Sequence, residues 1–210
     1  RRLQLPVGET PALGPWRNFL ERMHHATLET HIALVGKYDL QDAYKSIREA
    51  LVQAGIYNDR KVRLHFVNSE HLNEENIEES LEGMAGVVIC PGFGQRGIEG
   101  KILAAQYTRT HDIPTFGICL GMQMMVIEFA RNVLGLTDAN SAEMDSHTPN
   151  NVIDLMEEQK NVTAMGGTMR LGAYDCDLLP GSHVRAIYDV DRIRERHLHR
   201  YEFNNRFVEA

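Results

Sequence analysis

The stretch PTFGICLGMQMMVIEF, residues 114–129, sets one cysteine between two glycines where an apolar strand passes into a helix. PTFGI at 114–118 reads as a short buried strand, and Leu120, Met124, Ile127, Ala130 and Leu134 then recur on one helical face. GICLG has the form of a nucleophile elbow, G-x-C-x-G in place of G-x-S-x-G; a nucleophile on so sharp a turn needs small neighbours. A helix N-terminus favours thiolate and pulls a cysteine pKa below its usual ~8.5. The N–H of Leu120 would point at a developing oxyanion. The plainer reading of Cys119 is a buried cysteine behaving as a small hydrophobe, and spacing alone leaves both readings open. Cys90 and Cys176 have no such setting and read as structural.

Upstream of the elbow the chain alternates between two periods. HIALVG, VRLHFV at 62–67 and GVVIC at 86–90 are strand-like apolar runs. Between them lie a helical stripe of Ala43, Ile47, Ala50, Leu51 and Ala54, and the segment NEENIEESLEG, with Asn73 as cap, acids in its first turn and Gly83 at its end. A further helix is expected over 98–110. This alternation predicts an α/β fold: a mostly parallel, doubly wound (flavodoxin-like) sheet with helices on both faces. Ligands of such sheets sit beyond the carboxyl ends of the strands, where Cys119 and the loop at 91–97 both fall. After about residue 140 the signals weaken to strand character in MGGTMRLGAYDC, a short helix in GSHVRAIYD and a strand in RERHLHRYEFNNRF. Residues 1–30 differ from the rest: a Pro/Gly-rich segment precedes WRNFLERMHHA, which carries Trp16, Phe19, Leu20 and Met23 at helical spacing. They read as an interdomain linker with an amphipathic helix, and 31–210 as the domain proper.

Composition excludes several classes. The 210 residues are 43% hydrophobic and 24% charged, with a net charge of −7, which argues against general binding to nucleic acid or an anionic membrane. No apolar run approaches the roughly 20 residues of a membrane span. Three cysteines fit a reduced, cytoplasmic protein better than a disulfide-stapled one, and the NVT at 161–163 would go unused as a glycosylation site there. The chain begins at Arg1 without a methionine, so a piece of a longer protein is expected.

The loop GFGQRG at 92–97 matches the dinucleotide fingerprint as a string, but it follows the third strand rather than the first, behind Pro91. It fails as a phosphate loop because Gln95 and Ile102 stand where a glycine and a Ser or Thr are required. A third use is to bring backbone N–H groups against an oxyanion. His197 and His199, two apart on a strand, share a face. No third metal ligand at sensible spacing is evident among the surrounding arginines, so no metal is expected.

GKYDLQDAYKSIREAL, GFGQRGIEGK, GICLGMQ, ANSAE, GGTMRLG and ERHLHRYEFNN, in this order, carry a resemblance running from about Thr30 to the end. With them the chain resembles the class I (triad) glutamine amidotransferases, specifically the glutaminase domain that serves CTP formation. The resemblance implies that Cys119 is the nucleophile, attacking the carboxamide of L-glutamine, releasing ammonia and leaving a γ-glutamyl thioester for water to hydrolyse. It implies an oxyanion hole at Gly92 and Leu120, and glutamine binding by Gly92, Leu120, Gly121, Met122, Gln123, Glu143 and Arg200. Glu143 and Arg200 suit the ammonium and carboxylate of the substrate. Arg96 and Glu99 fall in a lid linked to activation by GTP. The ammonia would pass to a synthetase domain of the same polypeptide, which uses ATP and Mg2+ to aminate UTP. The full-length family member would be a homo-oligomer, a tetramer, with no cofactor in this domain.

The chain departs from the family pattern at two places. Pro91 stands where family members often carry the first of two glycines, which removes an N–H. The His-Pro-Glu segment that completes the triad does not occur in these 210 residues. A C-terminally incomplete domain with no assignable base is therefore expected. The competing reading is a catalytically silent glutamine-binding or docking module on the same fold, and a weaker one is a related cysteine-elbow hydrolase.

Overall fold

The structure is a computed structural model and describes residues 12–38, 43–156, 159 and 169–210. Four strands, β1 (Leu28–Gly36), β2 (Arg60–Asn68), β3 (Gly86–Ile89) and β4 (Thr115–Gly117), form a sheet in the order β2-β1-β3-β4. All three pairings are parallel. Side chains alternate across such strands, so each residue of β1 has a fixed face. Ala33 and Val35 pack with Val87 and Ile89 under Ile77, Leu81, Ala104 and Ala105. Leu34 and Val88 face the other way, towards Tyr44, Ile47 and Leu51. Helices α3 (Ile77–Leu81) and α4 (Ile98–Thr110) thus cover one face, and α2 (Lys45–Tyr57) the other. The doubly wound parallel sheet expected from the alternation is what the chain adopts.

Helix α5 (Leu120–Asn132) follows β4 and packs beside α4. Its apolar stripe Leu120, Met124, Ile127 and Ala130 is buried with Ile102, Ala139, Val152 and Ile153. That contact ties the main sheet to a smaller one, formed by β5 (Asn140–Ser141), β6 (Asn151–Asp154) and β9 (Glu202–Phe203). A long hairpin, β7 (Arg170–Asp177) with β8 (Arg192–His199), is joined through α6 (His183–Tyr188). Helix α1 (Gly14–His25) leans on α2, with Phe19 6.1 Å from Tyr57 between ring centroids.

Several local expectations shift. Strand β1 begins at Leu28, three residues before the HIALVG run. In α2 the inward line is the half-buried Ile47 and Leu51 with the buried Gly55 and Ile56, while Ala43, Ala50 and Ala54 face solvent. Alanines fit either face of a helix, so the aromatic and branched residues decide the orientation. Helix α3 is only five residues long, and Asn73 instead closes the turn before it, its side chain accepting from the N–H groups of Glu75 and Asn76. The NVT sequon and the paired glycines of GGTMRLG lie outside the described residues.

The register aligns the strand ends. Gly36 stands opposite Asn68, Val35 opposite Ile89, and Ile89 opposite Gly117. The residues just past those ends, Lys37, Gly92 and Cys119, therefore emerge along one edge. The chain reverses its winding between β1 and β3, which opens a crevice there.

Candidate active site

Cys119 is at the N-cap of α5 with φ 54° and ψ −111°. A non-glycine residue rarely holds such a backbone, and strain of this kind persists only where the surroundings over-determine it. The surroundings here are two close approaches. A Cβ at Gly117 would lie 2.5 Å from the Met122 nitrogen, and one at Gly121 would lie 1.9 Å from the Ile89 carbonyl oxygen. Both flanking glycines are thus dictated by packing, and the GICLG turn is the sharp elbow that its spacing predicts.

A pocket of about 140 Å³ opens over the sulfur, walled by Gly92, Phe93, Leu120, Gln123, Glu143, Met169, His199, Arg200 and Tyr201. Gly92 comes from the loop after β3, Gln123 from the first turn of α5, Glu143 from the turn after β5, and Arg200 from the end of β8. Segments some 80 residues apart in the chain are tied across the pocket. The Gln123 side-chain amide donates to the Tyr201 carbonyl at 3.0 Å, and the Gln159 amide to the Arg200 carbonyl at 3.1 Å. Gln95 reaches from the glycine loop to the Met144 carbonyl at 3.0 Å, beside Glu143.

The electrostatics correct one expectation. Burial pushes the Cys119 thiol above its ordinary range, against the Leu120 N–H and the Lys101 charge, which favour thiolate; Glu143 and Glu202 add to the rise. The helix N-terminus contributes in the expected direction, but desolvation outweighs it. Cys90, buried beneath the same loop, has its thiol pushed up to about 12 by desolvation, consistent with a structural role.

The structure brings Cys119, Gly92, Leu120, Gln123, Glu143 and Arg200 together on one pocket. Two other sequence candidates lie away from it. Gly121 is spent on the contact with Ile89, and Met122 faces a separate apolar cavity with Thr115, Phe116 and Phe129. Arg96 pairs with Glu70 at 2.8 Å and lies over the Tyr38 ring, and Glu99 pairs with Arg131 at 3.3 Å, both on the outer side of the glycine loop.

Sequence reading did not name Phe93, Met169, His199 and Tyr201 as wall residues, although all four fall within GFGQRGIEGK, GGTMRLG and ERHLHRYEFNN, because which residues of those segments face the pocket depends on the fold. His199 is the pocket's imidazole among the described residues. Its Nε2 lies 2.8 Å from His197 Nδ1, while its Nδ1 is buried 3.2 Å from Glu202 Oε1 and has no hydrogen-bond partner among the described residues. Burial lowers its pKa, opposed by the Glu202 carboxylate. His197, His199 and Glu202 gather closely enough to share a cation, yet Arg170 already donates to the same Glu202 oxygen at 2.7 Å. A metal would have to displace that guanidinium.

Residues 39–210 match the family Glutamine amidotransferase class-I, and the chain belongs to that family. CTP synthases stand among its relatives: that of Bacteroides thetaiotaomicron is 70% identical over 206 residues, covering 97% of this chain and 38% of the relative. That of Porphyromonas gingivalis is 57% identical over 211 residues, covering 100% and 39%. Among solved structures, the Trypanosoma brucei CTPS glutaminase domain with bound acivicin superposes with a TM-score of 0.79 at 38% identity. The match covers 86% of this chain and 70% of that one. The chain thus spans about two fifths of the length of these curated relatives. Among the described residues, no helix is long and apolar enough to cross a membrane.

Proposed function

We propose that this chain is a glutaminase supplying ammonia to a CTP-forming synthetase on the same polypeptide. The observation that carries it is the strained Cys119 elbow facing Gly92, Leu120, Gln123, Glu143 and Arg200 across one pocket. In the reaction the Cys119 sulfur adds to the glutamine carboxamide carbon, and the Gly92 and Leu120 N–H groups take the charge that develops on oxygen. The C–N bond breaks, ammonia leaves, and water then hydrolyses the γ-glutamyl thioester to glutamate. Glu143 and Arg200 hold the ammonium and carboxylate of the substrate, and Gln123 keeps the Tyr201 backbone in place beside them. Because desolvation keeps Cys119 a thiol near neutral pH, attack requires a base. His199, whose Nε2 meets His197 and whose Nδ1 is buried, is not assigned that role.

In this reading ATP and Mg2+ serve the synthetase domain, where UTP is aminated to CTP. GTP acts through a lid that takes in Arg96 of the glycine loop and Glu99 in the first turn of α4, and the whole protein is a cytoplasmic homo-oligomer, a tetramer. The test is labelling of the natural full-length protein by a glutamine-mimicking electrophile, followed by peptide mapping and assay of C119A. Selective modification of Cys119 and loss of glutaminase in C119A are expected. Labelling spread over Cys90 and Cys176, with C119A still active, would sink the reading in favour of a silent module.

A further inference from the structure

Two buried polar side chains outside the pocket hold the backbone that carries the oxyanion donor. Lys101, fully buried in α4, donates its ammonium to the Cys90 carbonyl at 2.5 Å. Tyr44, buried against Leu34, Val88 and Cys90 on the opposite face of the sheet, places its hydroxyl 3.4 Å from the Pro91 carbonyl. The same hydroxyl accepts the Lys37 N–H at 3.3 Å, which leaves its proton free for Pro91. Neither residue lines the pocket that Gly92 and Phe93 line. Lys37 continues the pattern along the loop, donating to the carbonyls of Phe93 and Gly94.

We propose that Lys101 and Tyr44 are positioning residues for the oxyanion hole, holding the Cys90 and Pro91 carbonyls outward so that the Gly92 N–H faces the sulfur. The inference rests on the glutaminase reading above. Its physical basis is peptide planarity: the Pro91 carbonyl and the Gly92 N–H belong to one trans peptide and point oppositely, so fixing one aims the other. The Cys90–Pro91 peptide has no N–H, and its carbonyl is the one polar handle by which that link can be held. Pulls from opposite faces of the sheet leave the loop little freedom to rotate. A donor aimed in advance is what transition-state charge stabilisation requires, because nothing need reorganise during attack.

Lys101 has a second effect that Tyr44 lacks. Its charge favours the Cys119 thiolate, with the Leu120 N–H, while Glu143 and Glu202 oppose it. Lys37 and Cys90 are the other titratable groups acting on Lys101 itself. Burial keeps the Tyr44 hydroxyl protonated, its pKa raised to about 12, so it remains a donor throughout the working range.

The experiment compares wild type, C119A, K101M and Y44F in the natural full-length protein. It reads glutaminase kcat and KM, the pH midpoint of Cys119 alkylation by iodoacetamide, and thermal unfolding. Outright loss of an oxyanion donor costs about 10²–10³ in kcat, so a misaimed one should cost about tenfold or more, with KM changed less than about threefold. Lys101 loses its charge at about pH 8, below the range where the raised Cys119 thiol titrates, so neither variant should move the alkylation midpoint. A kcat in Y44F within about twofold of wild type overturns the proposal, as does the same result in a folded K101M. If K101M does not fold, Y44F, which removes one oxygen and keeps the ring, decides alone. Wild-type turnover that survives in C119A overturns the glutaminase reading and this proposal together; Cys119-dependent turnover unchanged in both variants overturns this proposal only.

Discussion

Cys119 shows how one residue's chemistry follows from its neighbours' sizes. Its φ of 54° is held because Gly117 and Gly121 let α5 close onto β4 and onto the Ile89 carbonyl. Gly121→Ala would drive a Cβ into that carbonyl, which cannot swing aside within the sheet. The expected cost is about 2–3 kcal/mol of stability, with a displaced elbow, measured by denaturant unfolding and Cys119 alkylation rate. Lys101 leads to a different prediction. Burial brings its pKa from 10.5 down to about 8 in the folded protein. Between about pH 8 and 10.5 the unfolded chain therefore binds the extra proton at Lys101, and the contribution of Lys101 to stability rises with pH across that window, against the raised Cys90 and Cys119 thiols, which act the other way. Unfolding midpoints for wild type and K101M at about pH 7.5 and pH 10 should show the wild type gaining relative to the variant. The elbow was legible in GICLG because glycine spacing encodes a steric requirement. The buried lysine was not, since a cation inside the apolar run of α4 reads as a solvated face until its carbonyl partner is known.

At the scale of elements, α4 and α5 are bolted together at the end remote from the pocket. Arg109 grips the buried Glu128 carboxylate through both Nε and Nη2, at 2.8–3.1 Å. This pairing raises the Arg109 pKa. Arg109→Leu leaves the carboxylate buried with only Asn132 donating to it, at 3.2 Å. The expected loss is about 2 kcal/mol, less than the ~3–5 of a wholly buried pair because the Arg109 side chain is over a third exposed. The double variant R109L/E128L should recover most of that loss, whereas a loss no smaller in the double variant would show that the pair's packing, rather than its charge, holds the helices. Helices α4 and α5 were readable because long apolar stripes survive any tertiary context. The two-residue strand β5 was not, as so short a segment exists only through its partner, and the strand expected over RERHLHRYEFNNRF breaks at Arg200 and Tyr201 into β8 and β9. The orientation of α2 also had to wait for Tyr44 and Ile47 to find the sheet.

The whole molecule joins a parallel sheet, which supplies Cys119 and the glycine loop, to a smaller sheet and hairpin, which supply Glu143 and Arg200. Since the pocket's one imidazole among the described residues, His199, has its Nε2 against His197 and its Nδ1 buried, the 210 residues alone should turn glutamine over slowly. A general base is worth about 10²–10⁴ in rate, and the comparison is with the natural full-length protein assayed alongside. Equal turnover would mean that a base has been overlooked within these residues. By itself the sequence determined the succession of strands and helices as far as α5, and the elbow; Glu143 and Arg200 were named through the resemblance alone. The succession and the elbow depend on local sterics and on hydrophobic period, which the chain carries residue by residue. Only the tertiary structure decided that Cys119 is a desolvated thiol, that His199 is tied to His197 and Glu202, and that Lys101 and Tyr44 grip the loop from opposite faces. Burial, charge coupling and hydrogen-bond direction depend on what folding places alongside a residue, and segments 80 positions away are not written into its neighbourhood in the chain.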